Sequence, residues 1–215
     1  MINRKRQKGT KLNNKEIKKV CILKGSPRKE GNTNALTESF MDVLKEKGCN
    51  VTEFTLYDME LKPCLACRGC QQDWSAAACV RDDDMNLIFD AVMASDLIVI
   101  ASPIYSWYCT AQMKMVLDRL VYGLNKYYGD KKGPSLWAGK QVALLTTCGY
   151  KPEKGADLWE TGMKRYCKHS QLEYRGMLAE RHLGYDTVFM DDEKAERARA
   201  FAEELLDECC SDKKI

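Results

Sequence analysis

Val20-Cys21-Ile22-Leu23-Lys24-Gly25-Ser26-Pro27-Arg28-Lys29-Glu30-Gly31-Asn32-Thr33-Asn34 is the stretch on which the fold turns. Val20 to Leu23 form an apolar run, as in a strand buried on both faces. A glycine breaks the run and a polar loop follows. A helical pattern then begins, with Leu36, Phe40, Val43 and Leu44 recurring on one face. Gly48, just past Lys47, fits a helix stop.

The same unit recurs along the chain. Leu97-Ile98-Val99-Ile100-Ala101 and Val142-Ala143-Leu144-Leu145 are further continuous apolar runs. Val51 to Leu56 alternates and reads as a half-exposed edge strand; a last strand is expected from Tyr174 to about Leu183. Between them, Met85, Ile88 and Val92, then Met113, Leu117, Leu120 and Leu124, then Ala198, Phe201, Ala202 and Leu205, form helical stripes. A less periodic helix is expected from about Ala156 to His169. Strands alternating with helices predict an α/β fold with a five-stranded parallel sheet in the order 2-1-3-4-5, because parallel strands need right-handed helical crossovers. Ligands in such sheets bind beyond the carboxyl ends of the strands, at the switch point.

Three loops fall at that edge. In the first, Gly25 and Gly31 let the backbone turn, and Ser26, Asn32 and Thr33 offer polar donors. Arg28 adds a charge, and the start of the helix adds free N–H groups, so the loop reads as a phosphate cradle. It matches neither of the common glycine-rich nucleotide motifs. The second loop, Ser102-Pro103-Ile104-Tyr105-Ser106-Trp107-Tyr108, is stiffened by its proline. Its following amides are expected to be free to meet a flat polar ring. Tyr105 is the favoured aromatic cover; Trp107 and Tyr108 could equally face a neighbouring subunit. In the third, Thr146-Thr147-Cys148-Gly149-Tyr150, Thr147 and the backbone can bond a pyrimidine-like edge. Cys148 is read as a spacer without a thiol role. His169 and His182, the only histidines, are given no catalytic role.

The chain of 215 residues suits one well-buried domain. Its net charge of +3 conceals an asymmetry: residues 1–19 carry eight Lys and Arg against one Glu, and the remainder is net −4. Residues 1–16 are therefore expected to be a disordered basic tail, and 17–210 a single domain. No aromatic residue interleaves the tail's charges, so it is read as a solvated extension and no nucleic-acid partner is expected. No apolar run reaches the ~20 residues of a membrane span, and a cytoplasmic location is the default.

Gly25-Ser26-Pro27-Arg28 with Asn32-Thr33, Lys62-Pro63-Cys64, Asp83-Asp84-Met85, and Ser102-Pro103-Ile104-Tyr105 followed by Lys114 and Asp118-Arg119 together resemble the NADPH-dependent FMN reductase group. The likeness runs from about Val20 to Tyr150, and relatives of that group include the iron–sulfur flavoproteins. The resemblance implies a flavodoxin-like three-layer sandwich binding FMN. By it, Ser26, Pro27, Arg28, Asn32, Thr33 and Asn34 surround the phosphate. Pro103, Ile104, Tyr105 and Ser106 run beside the ring, and Thr147, Cys148, Gly149 and Tyr150 close the site. It further implies NADPH or NADH as donor, a small quinone, azo, nitro or similar acceptor, and a homodimer or dimer-based oligomer. The flavin would carry the chemistry, so no side chain is assigned a catalytic role.

Cys64-x2-Cys67-x2-Cys70-x8-Cys79 is the most distinctive segment among eleven cysteines. It resembles the compact cysteine motif of iron–sulfur flavoproteins, which would carry a [4Fe–4S] cluster, although its last gap is longer. A zinc site and a loop packed by reduced thiols are the other readings, and the balance between cluster and no cluster tips slightly to none. Cys21, Cys49, Cys109, Cys167 and the Cys209-Cys210 pair read as structural or exposed. A flavodoxin-type electron carrier is the competing function, weakly disfavoured because the domain is only modestly acidic.

Overall fold

A computed structural model describes residues 16–184 and 187–207. Most of the basic tail and the Cys209-Cys210 pair lie outside the described residues. Five strands, β1 (Lys19–Lys24), β2 (Asn50–Thr55), β3 (Leu97–Pro103), β4 (Gln141–Cys148) and β5 (Glu173–Arg181), form one sheet. Every pairing is parallel and the order is β2-β1-β3-β4-β5, as the alternation predicts. The helices are α1 (Asn32–Glu46), α2 (Met85–Ala94), α3 (Ala111–Leu124), the single turn α4 (Pro152–Gly155), α5 (Asp157–Ser170) and α6 (Asp192–Asp207). Among the described residues no helix is long and apolar enough to cross a membrane.

The period of two along a strand explains why the central runs are apolar throughout. Cys21 and Leu23 of β1, Ile98 and Ile100 of β3, and Val142 and Leu144 of β4 face a core built with α2, α3 and α5. Their neighbours Val20, Ile22, Leu97, Val99, Ala143 and Leu145 face a second core built with α1 and α6. The edge strand β2 is only half-buried. Leu56, expected to end it, instead begins a short 3-10 turn and is fully buried. β5 ends at Arg181 rather than near Leu183, and its pairing with β4 slips between Val142 and Ala143. At Gly48, φ of +75° closes α1 with the crossed hydrogen bonds of a left-handed cap, Cys49 N–H to the Leu44 carbonyl among them.

Candidate functional site

The first loop is tied to the sheet before it reaches α1. Gly25 N–H donates to the Ala101 carbonyl at 2.8 Å, and the Thr110 hydroxyl donates to the Gly25 carbonyl at 2.8 Å. A side chain at Gly25 would meet Met113 and Thr110 at 3.1 Å, so only glycine passes easily. Gly31 is equally constrained, since a Cβ there would lie 2.9 Å from the Arg28 carbonyl oxygen. Gly31 is also the N-cap of α1, and no side chain caps that end. The first-turn N–H groups and the positive end of the helix dipole therefore face the loop without an internal competitor.

Ser26, Arg28, Asn32 and Thr33 line one cleft there with Pro103, Ile104, Tyr105 and Thr147, in a cavity of about 80 Å³. The Thr33 and Thr147 hydroxyls share a buried hydrogen bond of 2.6 Å, which clasps the first loop to the third. Pro27 and Asn34 do not line this cleft. Pro27 is exposed. Asn34 spends its amide NH2 on the carbonyls of Arg28 and Lys29, shaping the loop from behind.

The second loop departs from expectation. Ile104 N–H donates to the Thr147 carbonyl at 2.8 Å, and Tyr105 and Tyr108 exchange both backbone hydrogen bonds. Of the amides expected to be free after Pro103, those of Ile104, Tyr105 and Tyr108 are thus consumed, the last two in a tight hairpin. Its two central residues, Ser106 and Trp107, have φ of 51° and 63°. Such a turn normally takes Asn-Gly, because both positions are left-handed. The Ser106 and Trp107 amides make no hydrogen bond among the described residues. Trp107 stacks on Tyr150 with ring centroids 6.0 Å apart and an interplanar angle of 10°, and its indole N–H donates to the Lys154 carbonyl. Tyr108 turns inward instead, edge-on to the buried Trp159 at 5.0 Å.

A wider cleft of about 260 Å³ adjoins the first, lined by Ile104, Ser106, Trp107, Cys148, Gly149, Tyr150, Gly155 and His182. Ile104 and His182 belong to both clefts. Together they reach the size class of a small-ligand site, about 300 Å³ and above. His182 is the residue that sequence reasoning missed. It follows β5 directly, its N–H donates to the Cys148 carbonyl at 2.9 Å, and its ring lies beside Gly149. Only the β4–β5 pairing brings it there. The rim is apolar and open: Tyr105, Trp107 and Tyr150 are 45%, 47% and 61% exposed. Burial pushes the Cys148 thiol up to about 11, so it is neutral near pH 7, and it donates weakly to the Tyr150 carbonyl. His169 lines neither cleft; its Nε2 shares a 2.6 Å hydrogen bond with the Tyr128 hydroxyl.

Cys64, Cys67, Cys70 and Cys79 line a different pocket, a small one of about 20 Å³ beside Arg119 of α3. Ala66 and Arg68 between them are left-handed, with φ of 52° and 60°, which coils the segment tightly. A Cβ at Gly69 would meet the Val80 Cγ1 at 2.4 Å, so the valine packs directly on the glycine backbone. The Cys70 thiol donates to the Tyr122 carbonyl, the Ala66 amide donates to the Cys64 sulfur, and burial raises the Cys70 thiol. Among the described residues the sulfurs are not gathered into a metal-ligand set as they stand. Cys21, Cys109 and Cys167 are buried thiols pushed up to about 12 and belong to the core.

Beneath this pocket the Asp83 carboxylate and the Arg119 guanidinium meet at 2.6 Å, with side chains 0% and 2% exposed. Burial alone would push Asp83 up. The Arg119 guanidinium, with the Lys62 and Met85 amides, outweighs it and holds the carboxyl below its usual range. Asp84 accepts from the Glu60 amide, so the acidic pair at the start of α2 pins residues 60–62 under the cysteine segment.

A protein-family model described as NADPH-dependent FMN reductase matches residues 18–156. An iron–sulfur flavoprotein of Methanosarcina thermophila is 35% identical over 124 residues, covering 56% of this chain and 63% of that protein. An iron–sulfur flavoprotein of Methanocaldococcus jannaschii is 36% identical over 101 residues, covering 47% of this chain and 51% of that protein. The chain thus spans between half and two thirds of the length of these relatives. Among solved structures, an NAD(P)H:quinone oxidoreductase from Methanothermobacter marburgensis superposes with a TM-score of 0.67 at 18% identity, covering 88% of this chain and 99% of that one. At that identity the likeness establishes the shared flavodoxin-like fold.

Proposed function

The chain belongs to the NADPH-dependent FMN reductase family, and on that premise we propose that it is an FMN-dependent oxidoreductase that draws on NADPH or NADH and reduces a small quinone, azo or nitro acceptor. One observation carries the reading. Three loops from three strand ends converge on an uncapped helix start, and a wider, aromatic-rimmed cleft adjoins it. The residues fit FMN: Gly31 lets the loop close tightly on Arg28 and Ser26 at the helix start, and the first-turn amides there have no capping side chain.

In this reading Ser26, Arg28, Asn32 and Thr33 hold the phosphate, and Asn34 braces their loop. Pro103 to Ser106 run beside the ring, and Thr147 to Tyr150 close the site with His182. When bound, FMN supplies hydride acceptance and electron delivery. The protein's part is orientation. The Thr33–Thr147 clasp fixes the distance between the anion end and the ring end. The Ser106 and Trp107 amides can donate to a polar ring edge. Tyr105, Trp107 and Tyr150, exposed on one rim, support a second copy of the chain as the roof that excludes water. The test is direct: FMN-loaded protein should oxidise NADPH or NADH when a quinone or azo dye is added. Absence of turnover with every acceptor, together with a stable one-electron flavin, would favour an electron carrier.

A second reading has its own observation. All four segment cysteines line one pocket, and three buried guanidinium nitrogens there, Nε and Nη2 of Arg119 and Nε of Arg81, lack an oxygen or nitrogen acceptor, which fits an anionic thiolate-held group. Cys64, Cys67, Cys70 and Cys79 would then hold a [4Fe–4S] cluster that exchanges electrons one at a time. Iron and acid-labile sulfide in anaerobically purified protein test it.

A further inference from the structure

Charge around the cysteine pocket is one-sided. Its lining includes Arg68, Arg81 and Arg119 and no carboxylate. Arg119 uses only one nitrogen internally: Nη1 donates to Asp83 Oδ2 at 2.6 Å and to the Lys62 carbonyl at 3.1 Å. Its Nε and Nη2 are buried and meet no oxygen or nitrogen acceptor, and Nε of Arg81 is in the same state; the Cys79 sulfur is the remaining neighbour of the Arg119 guanidinium. A fourth cation stands behind the segment. Lys126 is fully buried, and its Nζ donates to the Cys70 carbonyl at 2.8 Å.

An unsatisfied buried donor costs about 1–3 kcal/mol, and more on a charged group. Three such donors on two arginines, all belonging to one pocket, are a poor arrangement for a protein that leaves the pocket to neutral thiols. A thiol is a weak acceptor. A thiolate, or an inorganic sulfide bound to iron, is a strong one, and a bond from a charged donor to it is stronger still.

Resting on the iron–sulfur reading above, we propose that Arg119, with Arg81, is a positioning residue that sets the reduction potential of the group held by Cys64, Cys67, Cys70 and Cys79. The spare N–H groups of Arg119 donate to its sulfurs, while Asp83 holds the guanidinium in place from the other side. Reduction adds one electron to the group; no bond is made or broken and the guanidinium keeps its proton. The added negative charge strengthens each N–H···S bond, so these donors favour the reduced state and raise the potential.

The experiment compares wild type, Arg119→Lys and Arg81→Met, each purified anaerobically as the full chain. Iron and sulfide are counted, and the potential is measured by dithionite titration followed in the visible and by electron paramagnetic resonance. Arg119→Lys keeps a cation beside Asp83 and deletes the directed fork. It should retain iron and titrate at a more negative potential, by about tenfold in the one-electron equilibrium, which is ~59 mV. Arg81→Met should shift the same way by less, and it decides the matter if the lysine variant fails to fold. Wild-type protein with a cluster and variants with an unmoved potential would overturn the role of the arginines alone. Wild-type protein without iron or sulfide, or with zinc in their place, would overturn the iron–sulfur reading and this inference with it.

Discussion

The cleft at the start of α1 and the pocket under the cysteine segment both offer positive charge, and they do so in opposite ways. In the cleft the charge comes from an uncapped helix end, loop hydroxyls and Arg28 at the surface. In the pocket it comes chiefly from Arg119, whose side chain is buried and locked to Asp83, with the half-buried Arg81 and the exposed Arg68 beside it. Water can satisfy a donor at the surface, but it does not reach the buried Nε and Nη2 of Arg119 or Nε of Arg81.

The strongest way to break this contrast is to attack the buried charge. Arg119→Met would leave Asp83 buried and unpaired, and chemical denaturation should record a loss of about 3–5 kcal/mol. A loss no larger than that of a surface ion pair would mean that the pocket is wetter than its geometry implies. The same pair predicts a pH signature. The Asp83 carboxyl lies below its usual range in the folded state. Its stabilisation is therefore complete above the unfolded value, about 3.9, and is lost as pH falls through the lower folded value. Asp83→Asn should flatten that acid limb of the stability curve, whatever it does to the absolute stability.

The cradle should respond differently. Arg28→Ala combined with Thr33→Ala removes one charge-assisted bond and one hydroxyl, together worth about 1.5–3 kcal/mol of binding. FMN affinity should fall roughly tenfold to a hundredfold by fluorescence titration, and loss of the buried Thr33–Thr147 bond should lower the stability of the flavin-free protein by about 1–3 kcal/mol without unfolding it. Unaltered affinity would remove the cleft as the phosphate site. The smallest effect is expected at the hairpin tip. Trp107→Gly relieves a left-handed residue, about 1–2 kcal/mol, but loses a stacked pair worth about 0.5–1.5 kcal/mol and the indole bond to the Lys154 carbonyl, worth about as much. Net stability should change by no more than about 1 kcal/mol. A clear loss would show that the Trp107–Tyr150 stack outweighs the strain.

Legibility from sequence followed the range of the interaction. The central strands were readable because burial on both faces of a parallel sheet demands apolar residues at every position, as in Leu97 to Ala101. The meeting of Ser26, Arg28, Asn32 and Thr33 in one cleft was readable because they lie within one loop and one helix start. The hairpin at Ser106 and Trp107 was not, since neither residue carries a left-handed preference and only tertiary contacts, the Tyr150 stack among them, hold it. His182 was passed over because nothing local distinguishes a histidine that ends an edge strand. Asp83 and Arg119 were noticed as parts of a motif, but their union across 36 residues was invisible.

Order of elements, core-facing positions and the edge at which the three loops converge were determined by the sequence itself, because they follow from periodicity and from the handedness of crossovers. What the tertiary structure alone decided is which polar groups meet. It joined Thr33 to Thr147, set His182 between two clefts, and left two nitrogens of Arg119 without an oxygen or nitrogen acceptor. Hydrogen bonds and ion pairs depend on distances of a fraction of an ångström between residues far apart in the chain. No local pattern encodes such distances; only the packed sheet and its helices impose them.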